Sequence, residues 1–148
     1  MNMQPKLSEA QNATVRAVLD QVKASGRTAL TAPEGKIVCD AYGIAVPQEG
    51  VATSADEAVA LATRMGLPVV LKIVSPDILH KTEAGGVLVG VKSADEVRAG
   101  FDKILANAKA YKADARIDGV QVQQMLTGGT EVIIGSITDG SFGKLVAF

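Results

Sequence analysis

The chain has little that could cross-link it or bind a metal. One cysteine, Cys39, and one histidine, His80, occur in 148 residues. A lone cysteine forms no intrachain disulfide, and one Cys with one His does not assemble a structural zinc site. Aromatic residues make up 3% and tryptophan is absent, so there is no stacking platform for single-stranded nucleic acid. Neither charge dominates: 15 basic against 16 acidic side chains leave a formal net charge of −1. That balance argues against nucleic acid or an anionic membrane as partner. No apolar run approaches the roughly 20 residues of a membrane span. The Met1–Lys6 stretch lacks the apolar core and cleavage site of a secretory signal, so the expected compartment is the cytoplasm. What remains is 47% hydrophobic and 21% charged, a composition that suits one globular domain or two lobes of one and excludes disorder.

Four helix starts share a signature. Ser8/Gln11, Thr31/Glu34, Ser54/Glu57 and Ser93/Glu96 have the spacing of a capping box, in which the hydroxyl and the longer side chain satisfy orphan backbone N–H groups. Gly26, Gly43 and Gly66 suit the left-handed position after a helix. The spacing predicts helices over Glu9–Ser25, Ala32–Tyr42, Ala55–Met65 and Ala94–Ala110. Their expected apolar faces are Val15, Val18, Leu19 and Val22; Ile37, Val38 and Ala41; Val59, Leu61 and Ala62; and Val97, Phe101, Ile104, Leu105 and Ala108. Strands are predicted over Gln48–Ala52, Pro68–Val74, Val87–Val91, Val120–Leu126, Glu131–Ile137 and Lys144–Phe148, the last two joined by a turn at Asp139-Gly140. Helices mixed with strands, followed by strands alone, predict an α/β (α+β) chain in two lobes. A last strand that runs to Phe148 suggests the front part of a longer chain, because exposed sheet edges are usually avoided.

A few residues stand out chemically. Lys72 interrupts the run Val69-Val-Leu-Lys-Ile-Val74, either as an edge charge that keeps its head in water or as a ligand-binding group. Ser75–Gly86 is long for a strand connection and contains His80, a nucleophile that works near neutral pH. It ends in Gly85-Gly86, whose small size lets amides approach a phosphate. The alternative is a surface loop with an incidental histidine and a Gly-Gly turn. Asp77 and Glu83 flank His80 and either orient its ring or are solvated. Lys36 lies in the first turn of its helix, a poor place for a cation unless an anion binds nearby. Gln123, Gln124 and Leu126 end one strand and Glu131 opens the next. A carboxylate there accepts from two sugar hydroxyls at once, or is an edge charge.

Three stretches together resemble the ATP-grasp region of ADP-forming acyl-CoA synthetases of the acetate–CoA ligase type, with succinyl-CoA synthetase β chains as more distant relatives. They are Glu34–Pro47 (EGKIVCDAYGIAVP), Gly66–Val87 (GLPVVLKIVSPDILHKTEAGGV) and Val120–Gly135, with the second the most specific. The similarity begins near Leu30. Ala45 stands where the family usually has proline, and Thr82-Glu83 replaces the commoner Ser-Asp.

The resemblance implies an ATP-grasp fold with the first lobe complete over 31–117, the second lobe begun over 118–148, and a helical extension over 1–30. It implies that Lys36 and Lys72 grip ATP or ADP phosphates under a loop containing Gly85 and Gly86. Gln123, Gln124 and Leu126 would form the hinge whose backbone reads adenine, and Glu131 would hold the ribose. His80 would relay a phosphoryl group between nucleotide and a CoA-ligase domain or α subunit that binds CoA and acts on a small carboxylate. That arrangement implies a hetero-oligomer. Magnesium ligands are expected beyond residue 148, and the chain alone is expected to be inactive. The rival readings are a non-catalytic nucleotide-binding module and another ATP-grasp carboxylate ligase, the latter needing no histidine at position 80.

Overall fold

A computed structural model describes residues 8–148; the Met1–Lys6 stretch lies outside them. The elements follow the predicted order: α1 (Glu9–Ala24), α2 (Ala32–Ala41), β1 (Glu49–Ala52), α3 (Ala55–Met65), β2 (Val69–Val74), β3 (Val87–Val91), α4 (Ala94–Tyr111), β4 (Gly119–Gln124), β5 (Gly135–Asp139) and β6 (Gly143–Ala147).

A four-stranded antiparallel sheet has the order β1-β4-β2-β3. Residues opposite each other across antiparallel strands share a face. One face therefore carries Leu71, Val122 and Leu88. It packs on α3 and α4, burying Val69, Leu71, Ile73, Val120 and Val122 against Ala58, Ala62, Val97, Phe101, Ile104 and Ala108. The expected stripe of α4 is thus the one buried. The other face carries Lys72, opposite Gln121 on β4 and Val87 on β3. Lys72 is the one half-exposed residue of β2.

β4 lies between β1 and β2, so residues 118–124, grouped by sequence with the second lobe, are central to the first sheet. Local patterning did not reveal this, because β4 pairs with strands about 50 and 70 residues upstream and closes the sheet only through long-range contacts.

The caps differ in detail from the expectation. Ser8 and Gln11 form the full reciprocal box. Glu34 accepts from both the N–H and the hydroxyl of Thr31. Ser54 and Ser93 each accept from the expected glutamate N–H. The Glu57 and Glu96 carboxylates instead reach one residue further back, to the N–H groups of Thr53 and Lys92. α1 and α2 close as Schellman motifs: Arg27 and Ile44 donate to Val22 and Cys39, with Gly26 and Gly43 at positive φ.

α1 and α2 form a helical hairpin across the boundary expected at residue 30, tied by Gln11 to the Ala41 carbonyl and by an Arg27–Glu34 fork. Val22 is the only residue of the α1 stripe that is fully buried, and Ile37 is 42% exposed rather than inward-facing. Ile37 lies one turn before Ala41 on the same side of α2, where it lines an open groove with Ala10, Gln11 and Thr14 of α1 and so stays partly exposed.

β5 and β6 form the second, two-stranded sheet, joined through Gly140-Ser-Phe142 with Asp139 accepting from the Ser141 and Phe142 N–H groups. Residues 131–134 are not strand as predicted, and the ladder begins at Gly135. The register begins at Gly135 opposite Ala147, and Glu131–Ile134 have no strand partner among the described residues.

Candidate functional site

Lys72 is positioned by a relay across three strands. Its ammonium donates to Gln123 Oε1 at 2.7 Å, and Gln123 Nε2 donates to Glu49 Oε2 at 3.1 Å. The antiparallel register makes this possible: Gln123 is diagonal to Lys72 on β2 and directly opposite Glu49 on β1. The carboxylate fixes the orientation of the amide, and the amide fixes the lysine.

The 75–86 loop is anchored at both ends. Ser75 Oγ donates to the Arg116 carbonyl, and Asp77 accepts from the Arg116 N–H at 2.7 Å. Asp77 therefore caps a distant backbone amide and does not orient His80. Ile78 and Ala84 are buried as two plugs. At the far end Asn107 on α4 donates to the Gly85 carbonyl, and the Gly86 carbonyl accepts from Ile73 on β2. Leu79, His80 and Lys81 stand between these anchors.

That arrangement brings Lys72, His80, Lys81, Thr82, Glu83 and Ala32 around one open cavity of about 580 Å³. Ala32 is the first residue of α2, so the helical hairpin supplies part of the rim. Burial, and next the neighbouring Lys72 charge, push the Lys81 ammonium below its ordinary pKa.

The remaining expected residues are placed differently. Lys36 ion-pairs with Asp40 one turn along α2 and is not among the residues lining the cavity. The Asp40 carboxylate at i+4 offsets its unfavourable place near the helix start. The amides of Gly85 and Gly86 are not free for phosphate: they donate to the Thr82 and Lys81 carbonyls. Glycine is needed there for close packing. Gly85 has φ +60°, and a Cβ on Gly86 would lie 2.5 Å from Ile73 Cγ2. The Gln124 N–H is likewise used, donating to the Gln48 carbonyl. Leu126 lies past the end of β4 and Glu131 in the exposed 131–134 segment, both outside the residues lining the cavity.

Among the described residues no group of three His, Cys, Asp or Glu side chains is placed to hold a metal ion. No helix of the described residues is long and apolar enough to cross a membrane.

Sequence reasoning missed Lys81, Glu49 and Asn107. Lys81 was legible as the residue next to the only histidine. Glu49 and Asn107 act across 74 and 22 residues of chain and left no local signal.

Residues 21–148 match the ATP-grasp domain family. The β subunit of acetate–CoA ligase [ADP-forming] I from Pyrococcus furiosus is 45% identical over 136 residues, covering 92% of this chain and 58% of that protein. The chain thus spans a little over half the length of that relative. Among solved structures, PH1788 from Pyrococcus horikoshii Ot3 superposes with a TM-score of 0.86 at 43% identity, covering 90% of this chain and 57% of that one. A Ca. Korarchaeum cryptofilum acetyl-coenzyme A synthetase in complex with coenzyme A and Mg-AMPPCP gives a TM-score of 0.70 at 36% identity, covering 89% and 55%; there a phosphohistidine segment points towards the nucleotide-binding site. With the match running from the second half of α1 through the β5–β6 hairpin, this chain belongs to the ATP-grasp domain family.

Proposed function

We propose that the chain is the nucleotide-binding part of an ADP-forming acyl-CoA ligase, and that His80 relays the phosphoryl group between ADP and a CoA-binding partner subunit. The observation that carries this reading is the cavity in which the only histidine stands beside Lys72 and Lys81. Phosphoryl transfer needs little covalent help from a protein; it needs an in-line nucleophile and positive charge around the equatorial oxygens. An unprotonated ring nitrogen of His80 supplies the nucleophile. It forms an N–P bond to the γ-phosphorus as the P–O bond to ADP breaks, and the leaving ADP oxygen takes that electron pair. Run backwards, the step makes ATP. Lys72, held by Gln123 and Glu49, faces the phosphoryl oxygens.

The similarity to the Ca. Korarchaeum cryptofilum enzyme supports the same reading, since its phosphohistidine segment faces a nucleotide site. In this chain the anchors at Asp77 and Gly85 confine any swing of His80 to the residues between them. Gln123, Gln124 and Leu126 would meet the base and Glu131 the ribose. Lys36 would reach the phosphates only by leaving Asp40. Magnesium would enter with the nucleotide. The small carboxylate and CoA would be bound by the partner, in the cytoplasm.

The test is acyl-CoA-dependent ATP formation by the complete ligase. His80→Ala should abolish turnover while nucleotide binding persists. Unchanged turnover in His80→Ala would overturn the relay.

A further inference from the structure

We propose that Lys81 is a second phosphoryl-gripping residue: with Lys72 it forms a cationic cradle for the phosphate dianion that His80 gives or receives. The inference rests on the relay reading and adds to it a role for Lys81, to which the motif assigns none.

Three observations converge on it. First, two lysines and the only histidine line one cavity, and neither lysine has an ion-pair partner among the described residues. The ion pairs among the described residues are Arg27–Glu34, Lys36–Asp40, Arg98–Asp56 and Arg116–Asp118. The bond from Lys72 goes to a neutral amide. Second, Lys81 is half-buried and close enough to Lys72 for the two charges to oppose each other, and burial adds to the strain on its charged form. Desolvation and a like charge both disfavour an ammonium, and a dianion between the two lysines removes both penalties. Third, the Gly85-Gly86 turn has no free amide to offer this site. The Gly85 and Gly86 amides that would form an anion nest are spent on Thr82 and Lys81 carbonyls. The charged or titratable groups facing Lys81 in the cavity are Lys72, His80 and Glu83. Glu83 forms no ion pair with either lysine among the described residues.

The probe is inorganic phosphate, titrated into the 148-residue chain and read by the His80 ring-proton resonances and by thermal unfolding. Wild type should bind saturably, with a melting temperature that rises with phosphate. Lys81→Met should weaken phosphate binding at least tenfold, and Lys81→Arg should retain it. Lys23→Met, on the exposed face of α1, should match wild type. Without phosphate, Lys81→Met should melt no lower than wild type, because it removes a desolvated charge beside another. A lysine kept only for packing would instead lower the melting temperature with or without phosphate. The cradle is overturned if wild type does not bind phosphate saturably, or if Lys81→Met binds it as tightly as wild type. The relay is judged separately, by phosphohistidine at His80 in the complete ligase. Lys81-dependent phosphate binding without phosphohistidine overturns the relay and leaves the cradle; phosphohistidine with Lys81-independent phosphate binding does the reverse.

Discussion

Gly86→Ala separates two reasons for having glycine in the His80 loop. If the loop is anchored as described, the added Cβ would lie 2.5 Å from Ile73 Cγ2, 3.1 Å from the Lys81 carbonyl oxygen and 3.2 Å from Ile73 Cβ. Carbon atoms at rest stand about 3.5–4.0 Å apart, so the deficit is at least ~1 Å. Relief is hard to find. Ile73 is fully buried in a strand paired on both sides, and its branched side chain has little χ1 freedom. Gly86 itself is fixed by two hydrogen bonds, to Lys81 and from Ile73. Overpacking of this kind costs about 1–3 kcal/mol. At roughly 2–4 °C per kcal/mol for a chain of this size, a 2 kcal/mol loss lowers the melting temperature by ~4–8 °C. Circular dichroism melts in phosphate-free buffer measure it. Gly35→Ala, inside α2 with nothing within 4 Å, is the matched control and should stabilise by ~0.5–1 kcal/mol. An unchanged melting temperature for Gly86→Ala would mean that the loop does not rest against β2, and the anchored-loop account would fail.

Acid should loosen the helical hairpin. The Arg27 hydrogen bond, aided by Thr31 against the cost of burial, holds the Glu34 carboxyl at about 2 instead of 4.5. A depressed carboxyl contributes stability that is fully present above about pH 4.5 and is lost as pH falls toward 2. The linkage limit of about 3 kcal/mol falls to ~1–2 kcal/mol because solvent reaches the pair. Denaturant melts from pH 6 to 2.5 should show that loss in wild type and a flatter profile in Glu34→Gln. Gln121 is 1% exposed on the Lys72 face, and neither of its amide atoms has a protein partner. Gln121→Leu should therefore raise stability by ~1–3 kcal/mol; a fall in urea midpoint would show that the amide is satisfied in solution. Gln123→Leu removes the support of Lys72 without removing its charge, and should weaken ADP binding by isothermal titration about three- to tenfold. Equal affinity would mean that the lysine needs no orienting partner.

Elements were legible in the sequence where one local rule governed them. Caps, helix-terminal glycines and the apolar spacing of α4 led to the right helices and, within a residue or two, the right ends. The strand at 69–74 and the Asp139-Gly140 turn were equally clear. What failed was set by contacts far along the chain. The sequence groups β4 with the strands after it, whereas its partners in the sheet are β1 and β2. Residues 131–134 read as strand because Val132, Ile133 and Ile134 are β-branched, yet no strand opposes them among the described residues. In the site, the His80 loop and Lys72 were legible from residue type. The bond from Asp77 to Arg116, the Glu49–Gln123–Lys72 relay and the Asn107 anchor were not, since each joins residues at least 22 positions apart.

The central claim is that His80 carries phosphate. The direct measurement is site-resolved mass spectrometry, under alkaline conditions that preserve phosphohistidine, of the complete ligase after brief incubation with magnesium-ATP. The account predicts one phosphoryl group on the Ile78–Lys81 stretch at His80, absent in His80→Ala. Phosphate located on another residue of this chain, or ATP formation with His80 never modified, would contradict it.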